Sequence, residues 1–149
     1  GAYTMELLNF LDENDAKATF FMLGTKVEKY PDEIKKMVEI GCELGNHSTT
    51  HLQLTKGSNT DIDSEIQTTH DAIQAIVGSK ASCIRPPYGS YNDNVKDIAD
   101  KPLIMWSLDT LDWETRDVKK IKEEIRNNIK DGDIVLMHDI KKVNIELKK

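Results

Sequence analysis

The 149-residue chain predicts an α/β fold, a parallel sheet covered by helices. Short β-rich apolar runs alternate with amphipathic segments of helical period along its length, the pattern of strand, crossover helix and returning strand. No repeat, low-complexity stretch or linker interrupts that rhythm, so residues 1–149 are expected to form one domain. The polar residues His47, Arg85, Asp109 and His138 each fall at or just beyond the C-terminal end of an expected strand. In parallel α/β folds, sites are built along that edge.

The elements follow in order. "AYTMELLNFLDEND" carries Met5, Leu8 and Leu11 on one face with Leu7 beside them and ends in the turn formers Asn14 and Asp15, which predicts a helix. "KATFFMLG" is β-rich and closed by Gly24, a strand. "PDEIKKMVEIG" has Pro31 and acids in its first turn and Gly41 past its end, a helix. "CELGN" is a short strand, followed by a polar loop and a helix from about Asp61 to Val77 with Ile62, Ile66, Ile73, Ile76 and Val77 inward. The second half predicts "ASCIR" as a strand entering the turn "PPYGSYND", then the helix "NDNVKDIAD". The strand "PLIMWSL", the helix "VKKIKEEIRNNIKDG" and the strand "DIVLMHD" complete five strands.

Composition narrows the function. With 38% hydrophobic and 31% charged residues the chain can bury an ordinary core without staples. A net charge of -6 and a pI near 5.2 disfavour nucleic acid, whose binding depends on clustered Lys and Arg. Cys42 and Cys83 form neither a CxxC knuckle nor a disulfide framework and are expected as small buried residues. No apolar run reaches membrane-spanning length, so membrane contact would come only through segments outside this chain.

Four stretches carry chemistry. In "GNHSTTHLQL", His47 and His51 are four apart; a helical turn over residues 48–51 would aim both imidazoles one way. Two neutral imidazoles are a common first half of a Zn²⁺ site, and an oxygen ligand would then have to come from elsewhere. "RPPYGSYND" joins a stiffened backbone to Arg85, a fork of donors suited to a carboxylate. "WSLDTLDWETRD" sets Asp109, Asp112 and Trp113 past a strand, and "IVLMHD" ends one in His138 and Asp139. Singly, each has a plainer reading: surface or capping histidines, a rigid loop, a helix-capping acid, a satisfied core histidine.

Together and in this order, "HSTTH", "RPPY", "DTLDW" and "LMHD" resemble the motifs of the polysaccharide deacetylases, the NodB-like family 4 carbohydrate esterases, and "KATFFMLG" and "GCELGNH" are similar to the family's approach to its metal motif. The resemblance covers nearly the whole chain and is nearest to peptidoglycan N-acetylglucosamine deacetylases. It implies a distorted (β/α) barrel and a divalent metal, Zn²⁺ first and Co²⁺ or Ni²⁺ next, held by His47 and His51. It implies His138 as the general acid, oriented by Asp112, and Arg85 as the partner of the catalytic base. Tyr88 would offer its backbone N–H to the oxyanion, Trp113 and Leu136 would line a slot for the acetyl methyl, and Asp109 belongs to the opposite wall of the groove.

The family's opening motif, a T-F-D-D-G-type stretch that supplies the base and the third metal ligand, is expected just upstream of Gly1. The family's last helix and strand are likewise expected past Lys149, so the domain is read as truncated at both ends and its barrel as incomplete. The implied activity is removal of N-acetyl groups from an N-acetylglucosamine polymer, peptidoglycan before chitin. An acetylxylan O-esterase and a catalytically inactive glycan-binding homologue are the alternatives. A cell-wall substrate implies an extracellular or cell-surface location.

Overall fold

A computed structural model describes residues 3–139, and the chain ends at Gly1 and Lys149 lie outside the described residues. Contacts divide the chain into two compact units, Ala16–Met105 and the pair of segments Gly1–Asp15 with Trp106–Lys149. The larger unit holds β1 (Thr19–Met22), α2 (Gly24–Val27), α3 (Pro31–Glu39), β2 (Glu43–Asn46), α4 (Asn59–Val77), β3 (Cys83–Ile84) and α5 (Asp93–Ile98). In the other unit are α1 (Thr4–Glu13), β4 (Leu108–Asp109), α6 (Asp112–Thr115), α7 (Val118–Asn128) and β5 (Val135–Leu136). The α/β alternation stands, and every strand pair is parallel: β1-β2-β3 in one sheet, β4-β5 in the other.

Local chemistry sets the helix ends. Pro31 opens α3, where its missing N–H costs nothing, and Ile34, Met37 and Ile40 bury one face at three-residue spacing. A capping box starts α4: the Ser58 hydroxyl accepts from the Asp61 N–H while the Asp61 carboxylate accepts from the Ser58 N–H. Gly78 ends that helix in the left-handed conformation, at φ 84°. The Asp117 side chain caps α7 by accepting from the N–H groups of Lys119 and Lys120.

The core of the larger unit joins Leu54, Ile62, Ile66, Ile84 and Val95, all essentially inaccessible, with Ile98, Ala99 and Leu103 packed on its flank. Helix α4 contributes two of these side chains and lies over β2, where Asn46 reaches up and donates to the Ile66 carbonyl at 2.8 Å. Cys42 and Cys83 are buried and unpaired, as small core residues. In the smaller unit Leu8 of α1 and Ile121 of α7 are fully buried, and the Thr4 hydroxyl donates to Asp139 at 2.6 Å.

Two expectations are corrected. The strand expected over "PLIMWSL" is broken: Leu103 makes a single parallel bridge to Ile84, and pairing resumes only at Leu108. The cause is Arg85, whose guanidinium takes the carbonyls of Ile104 and Met105 that a neighbouring strand would have used. Residues 48–51 form no helical turn either. Ser48 and His51 adopt φ of 64° and 68°, in the left-handed region, so the loop coils back on itself.

One buried polar group went unassigned in the sequence. His70 of α4 is fully buried, its Nε2 lies 3.1 Å from an Asp100 oxygen, and its Nδ1 has no hydrogen-bond partner among the described residues. Burial holds the ring below its usual 6.5, against the opposing pull of Asp100. The neutral ring therefore donates Nε2–H to Asp100. Above pH 6.5 both folded and unfolded rings are neutral and the contribution is complete; below it the unfolded ring takes up a proton that the folded ring resists. Stability is thus expected to fall from pH 7 toward pH 5, by at most about 1.4 kcal/mol per pH unit from this group. Urea unfolding across that range should show His70→Gln with a flatter profile than the parent chain.

Candidate active site

The chain leaving β2 builds the first part of the site. Asn46 is fully buried, and while its amide donates to Ile66 its carbonyl oxygen accepts the Ser48 N–H at 2.9 Å. The Ser48 hydroxyl in turn accepts the His51 N–H at 3.1 Å. Glu65, the residue before Ile66 on α4, accepts from the N–H groups of Thr49 and Thr50 at 2.9 and 2.8 Å and from the Thr50 hydroxyl at 2.8 Å. Gly24, after β1, donates to the Ser48 carbonyl, and an added Cβ there would meet the Thr69 hydroxyl at 2.4 Å. The loop is held from three sides.

This scaffold brings His47 and His51 together despite the missing helical turn, with ring centroids 5.0 Å apart at 70°. His47 Nδ1 lies 2.6 Å from the Arg85 carbonyl oxygen. A carbonyl only accepts, so Nδ1 carries the proton and Nε2 the lone pair. A metal-ligating histidine is typically oriented in this way, by a second hydrogen bond to a backbone carbonyl. The two imidazoles are a donor pair of the kind that suits a divalent cation such as Zn²⁺, which makes His47 and His51 candidate ligands. Among the described residues no cluster of three His, Cys, Asp or Glu side chains completes such a site.

Arg85 and Tyr88 follow β3. The guanidinium is buried over the Phe21 ring, 4.2 Å from its centroid, and donates Nε–H to Ile104 at 3.1 Å and Nη2–H to Met105 at 2.9 Å. Burial pulls its pKa below the usual range for a guanidinium. Tyr88 stands at φ 61° in the 3₁₀ turn Pro87–Gly89, with its exposed ring edge-on to His51 at 4.6 Å. The bonds of that turn run from Gly89 to Pro86 and from Ser90 to Pro87, and the Tyr88 N–H takes part in neither.

The smaller unit carries the remaining candidates. Asp112, at the start of α6, is 4% exposed and accepts both the His138 backbone N–H at 2.7 Å and the His138 ring Nδ1–H at 2.8 Å. A carboxylate with both oxygens on one histidine fixes the ring's orientation and directs its proton exchange to Nε2. Asp109 turns inward on its own loop, accepting the Leu111 N–H at 2.9 Å and the Trp113 indole N–H at 3.4 Å. Trp113 is half exposed, and Leu136 on β5 is buried.

Backbone strain marks these same loops. Of six non-glycine residues with positive φ among the described residues, Ser48, His51, Tyr88 and Leu111 lie in the segments just described. Sequence reasoning missed Asn46 and Glu65. Asn46 had a signal, a polar residue ending a buried strand directly before a histidine; Glu65 had none, since an acid on a helix surface is ordinary.

The comparisons with known proteins agree with one another. The profile of the family described as polysaccharide deacetylase matches residues 1–102. The chain is 37% identical to the peptidoglycan-N-acetylmuramic acid deacetylase PdaC of Bacillus subtilis and 39% identical to the peptidoglycan-N-acetylglucosamine deacetylase PgdA of Listeria monocytogenes. Both alignments cover 93% of this chain, and the chain spans about 30% of the length of either relative. The solved structure of PdaC superposes with a TM-score of 0.95 at 35% identity, covering 99% of this chain and 73% of that one. A CE4 family pseudoenzyme from Bacillus anthracis superposes at 0.90 with 34% identity, covering 99% of this chain and 53% of that one.

The Glu65 anchor can be tested directly. Glu65→Ala leaves the Thr49 and Thr50 N–H groups without their carboxylate and should weaken Zn²⁺ binding about 10- to 100-fold, the usual effect of losing an outer support of a metal site. Isothermal titration with Zn²⁺ measures it, and Glu65→Gln, which keeps one acceptor oxygen, should fall between.

Proposed function

The chain belongs to the polysaccharide deacetylase family, and we propose on that basis that it forms much of the catalytic domain of a metal-dependent hydrolase. This enzyme removes N-acetyl groups from N-acetylglucosamine residues of peptidoglycan, with chitin as the second substrate. The observation that carries this reading is the His47 imidazole, locked by Arg85 into the tautomer a metal requires with His51 beside it. TM-scores of 0.90 to 0.96 with family members support a distorted barrel as the finer description of the fold.

Hydrolysing an acetamide needs an activated water, stabilisation of the tetrahedral oxyanion and a proton for a poor leaving amine. His47 and His51 would hold a divalent cation, Zn²⁺ before Co²⁺ or Ni²⁺, which when bound would supply an activated water and Lewis acidity toward the carbonyl. His138 then supplies the proton. Its Nδ1–H is fixed on Asp112, so Nε2 is the atom that protonates the amine nitrogen as the C–N bond breaks. The Tyr88 N–H donates to the developing oxyanion. Trp113 and Leu136 line a slot for the acetyl methyl, with Asp109 holding the indole. Arg85, already the anchor of His47, pairs with the catalytic base, which the family's opening motif provides. Acting on a wall polymer, the protein works outside the cell membrane.

A second reading, a glycan-binding homologue without turnover, is favoured by the 34% identity to a pseudoenzyme. Acetate release separates the two. With the full-length protein and Zn²⁺ or Co²⁺, acetate should appear from peptidoglycan or chitooligosaccharides, stop with a chelator and return with metal; activity indifferent to the chelator would remove the metal from the mechanism. His47→Ala should lose metal and activity together. His138→Ala should keep the metal and slow turnover by roughly two to four powers of ten, the usual worth of general acid help.

A further inference from the structure

A cavity of the larger unit takes no part in the roles above. It measures about 360 Å³ and is lined by Tyr91, Lys96, Lys101, Pro102, Leu103 and Met105. Its charge runs against that of the chain: on a protein of net charge -6, two of the six lining residues are lysines and none is acidic. Lys96 Nζ sits 5.2 Å from the centroid of the Tyr91 ring, so a cation and an aromatic face share one rim.

The acidic neighbours do not neutralise this pair. Asp93 lies 3.7 Å from Lys96, but its side chain is 98% exposed, and a solvated contact of that kind yields easily to another carboxylate. Asp100, next to Lys101 in the chain, is engaged by α4: it accepts from His70 at 3.1 Å and from Gln67 at 3.2 Å, and Lys80 stands 3.9 Å away. Among the described residues no carboxylate pairs with Lys101. The apolar lining of Pro102, Leu103 and Met105 with the 44% exposed Tyr91 ring offers a surface for the carbon face of a sugar. A neutral glycan can stack on that surface and accept a hydrogen bond from an ammonium, but only an anion gains charge pairing from two of them.

The cavity is also tied to the candidate metal loop. The Met105 carbonyl accepts from Arg85, whose own carbonyl holds His47, and Tyr91 lies three residues after Tyr88, the ring beside His51.

We propose that Tyr91, Lys96 and Lys101 form a subsite for a carboxylate carried by the polysaccharide, so that this chain selects peptidoglycan over neutral N-acetylglucosamine polymers. The subsite rests on the deacetylase reading for its substrate class. The carboxylate has two sources in peptidoglycan, the lactyl ether of a muramic residue and the stem peptide attached to it.

Calorimetric titration of the full-length protein with tetrasaccharides of equal length tests the subsite: chitotetraose, a peptidoglycan tetrasaccharide stripped of stem peptides, and the same glycan bearing them. At least one carboxylated ligand should bind about 3- to 10-fold tighter than chitotetraose, the scale of one or two exposed ion pairs. That advantage should shrink in about 0.5 M NaCl, where such contacts are screened. The double variant Lys96→Gln, Lys101→Gln should bind every ligand as the parent binds chitotetraose, while Tyr91→Ala should weaken all of them alike. Full preference for the stripped glycan assigns the lactyl group, and preference appearing only with stem peptides assigns the peptide. A parent protein without preference, or a double variant that keeps it, overturns the subsite. Acetate release, followed separately, reports on the deacetylase reading: a charge-dependent preference without acetate leaves the subsite and removes the catalysis.

Discussion

The hydrogen bond from His47 Nδ1 to the Arg85 carbonyl, 2.6 Å long, is the contact on which the site depends. It links the chain leaving β2 to the chain leaving β3, two strands already paired through Gly45 with Cys83 and Asn46 with Ile84. Sheet register therefore decides the tautomer of an imidazole. Were that register to slip by one residue, side chains would exchange faces and the carbonyl would no longer meet the ring.

Arg85 serves that contact from the other side. Its backbone holds His47 while its side chain, buried over Phe21, captures the carbonyls of Ile104 and Met105. A buried guanidinium must find acceptors, and here they come from backbone that would otherwise extend the sheet. The interruption after Leu103 and the anchoring of His47 thus both pass through one residue, the first by its side chain and the second by its backbone. The cost is visible in the loops themselves, where Ser48, His51 and Tyr88 keep left-handed backbone that surrounding bonds sustain.

The histidine pairs illustrate how similar chemistry is put to different ends. His138 lies in the smaller unit, with its backbone N–H and its ring Nδ1–H both donated to a nearly inaccessible Asp112. His70 also meets a carboxylate, but in the core behind α4, where desolvation dominates and keeps the ring neutral. One arrangement fixes the orientation of a partly exposed imidazole; the other fastens α4 to the chain after α5.

The alternation of strands and helices, the parallel pairing and the four motifs were legible because each rests on local pattern: apolar periodicity, Pro31 and Gly78 at helix ends, polar residues closing strands. Helical spacing misled at residues 48–51, where nearness of His47 and His51 was right but for the wrong geometric reason. By itself the sequence determined which residue types arrive at the C-terminal ends of the strands, since that follows from chain order and strand pattern. Only tertiary structure decided that Glu65 and Asn46 would hold the loop around His47 and His51, that Arg85 would break a strand, and that Lys96 and Lys101 would share a cavity. Those contacts join residues far apart in the chain, and which donor meets which acceptor is settled by packing and burial, quantities no local pattern encodes.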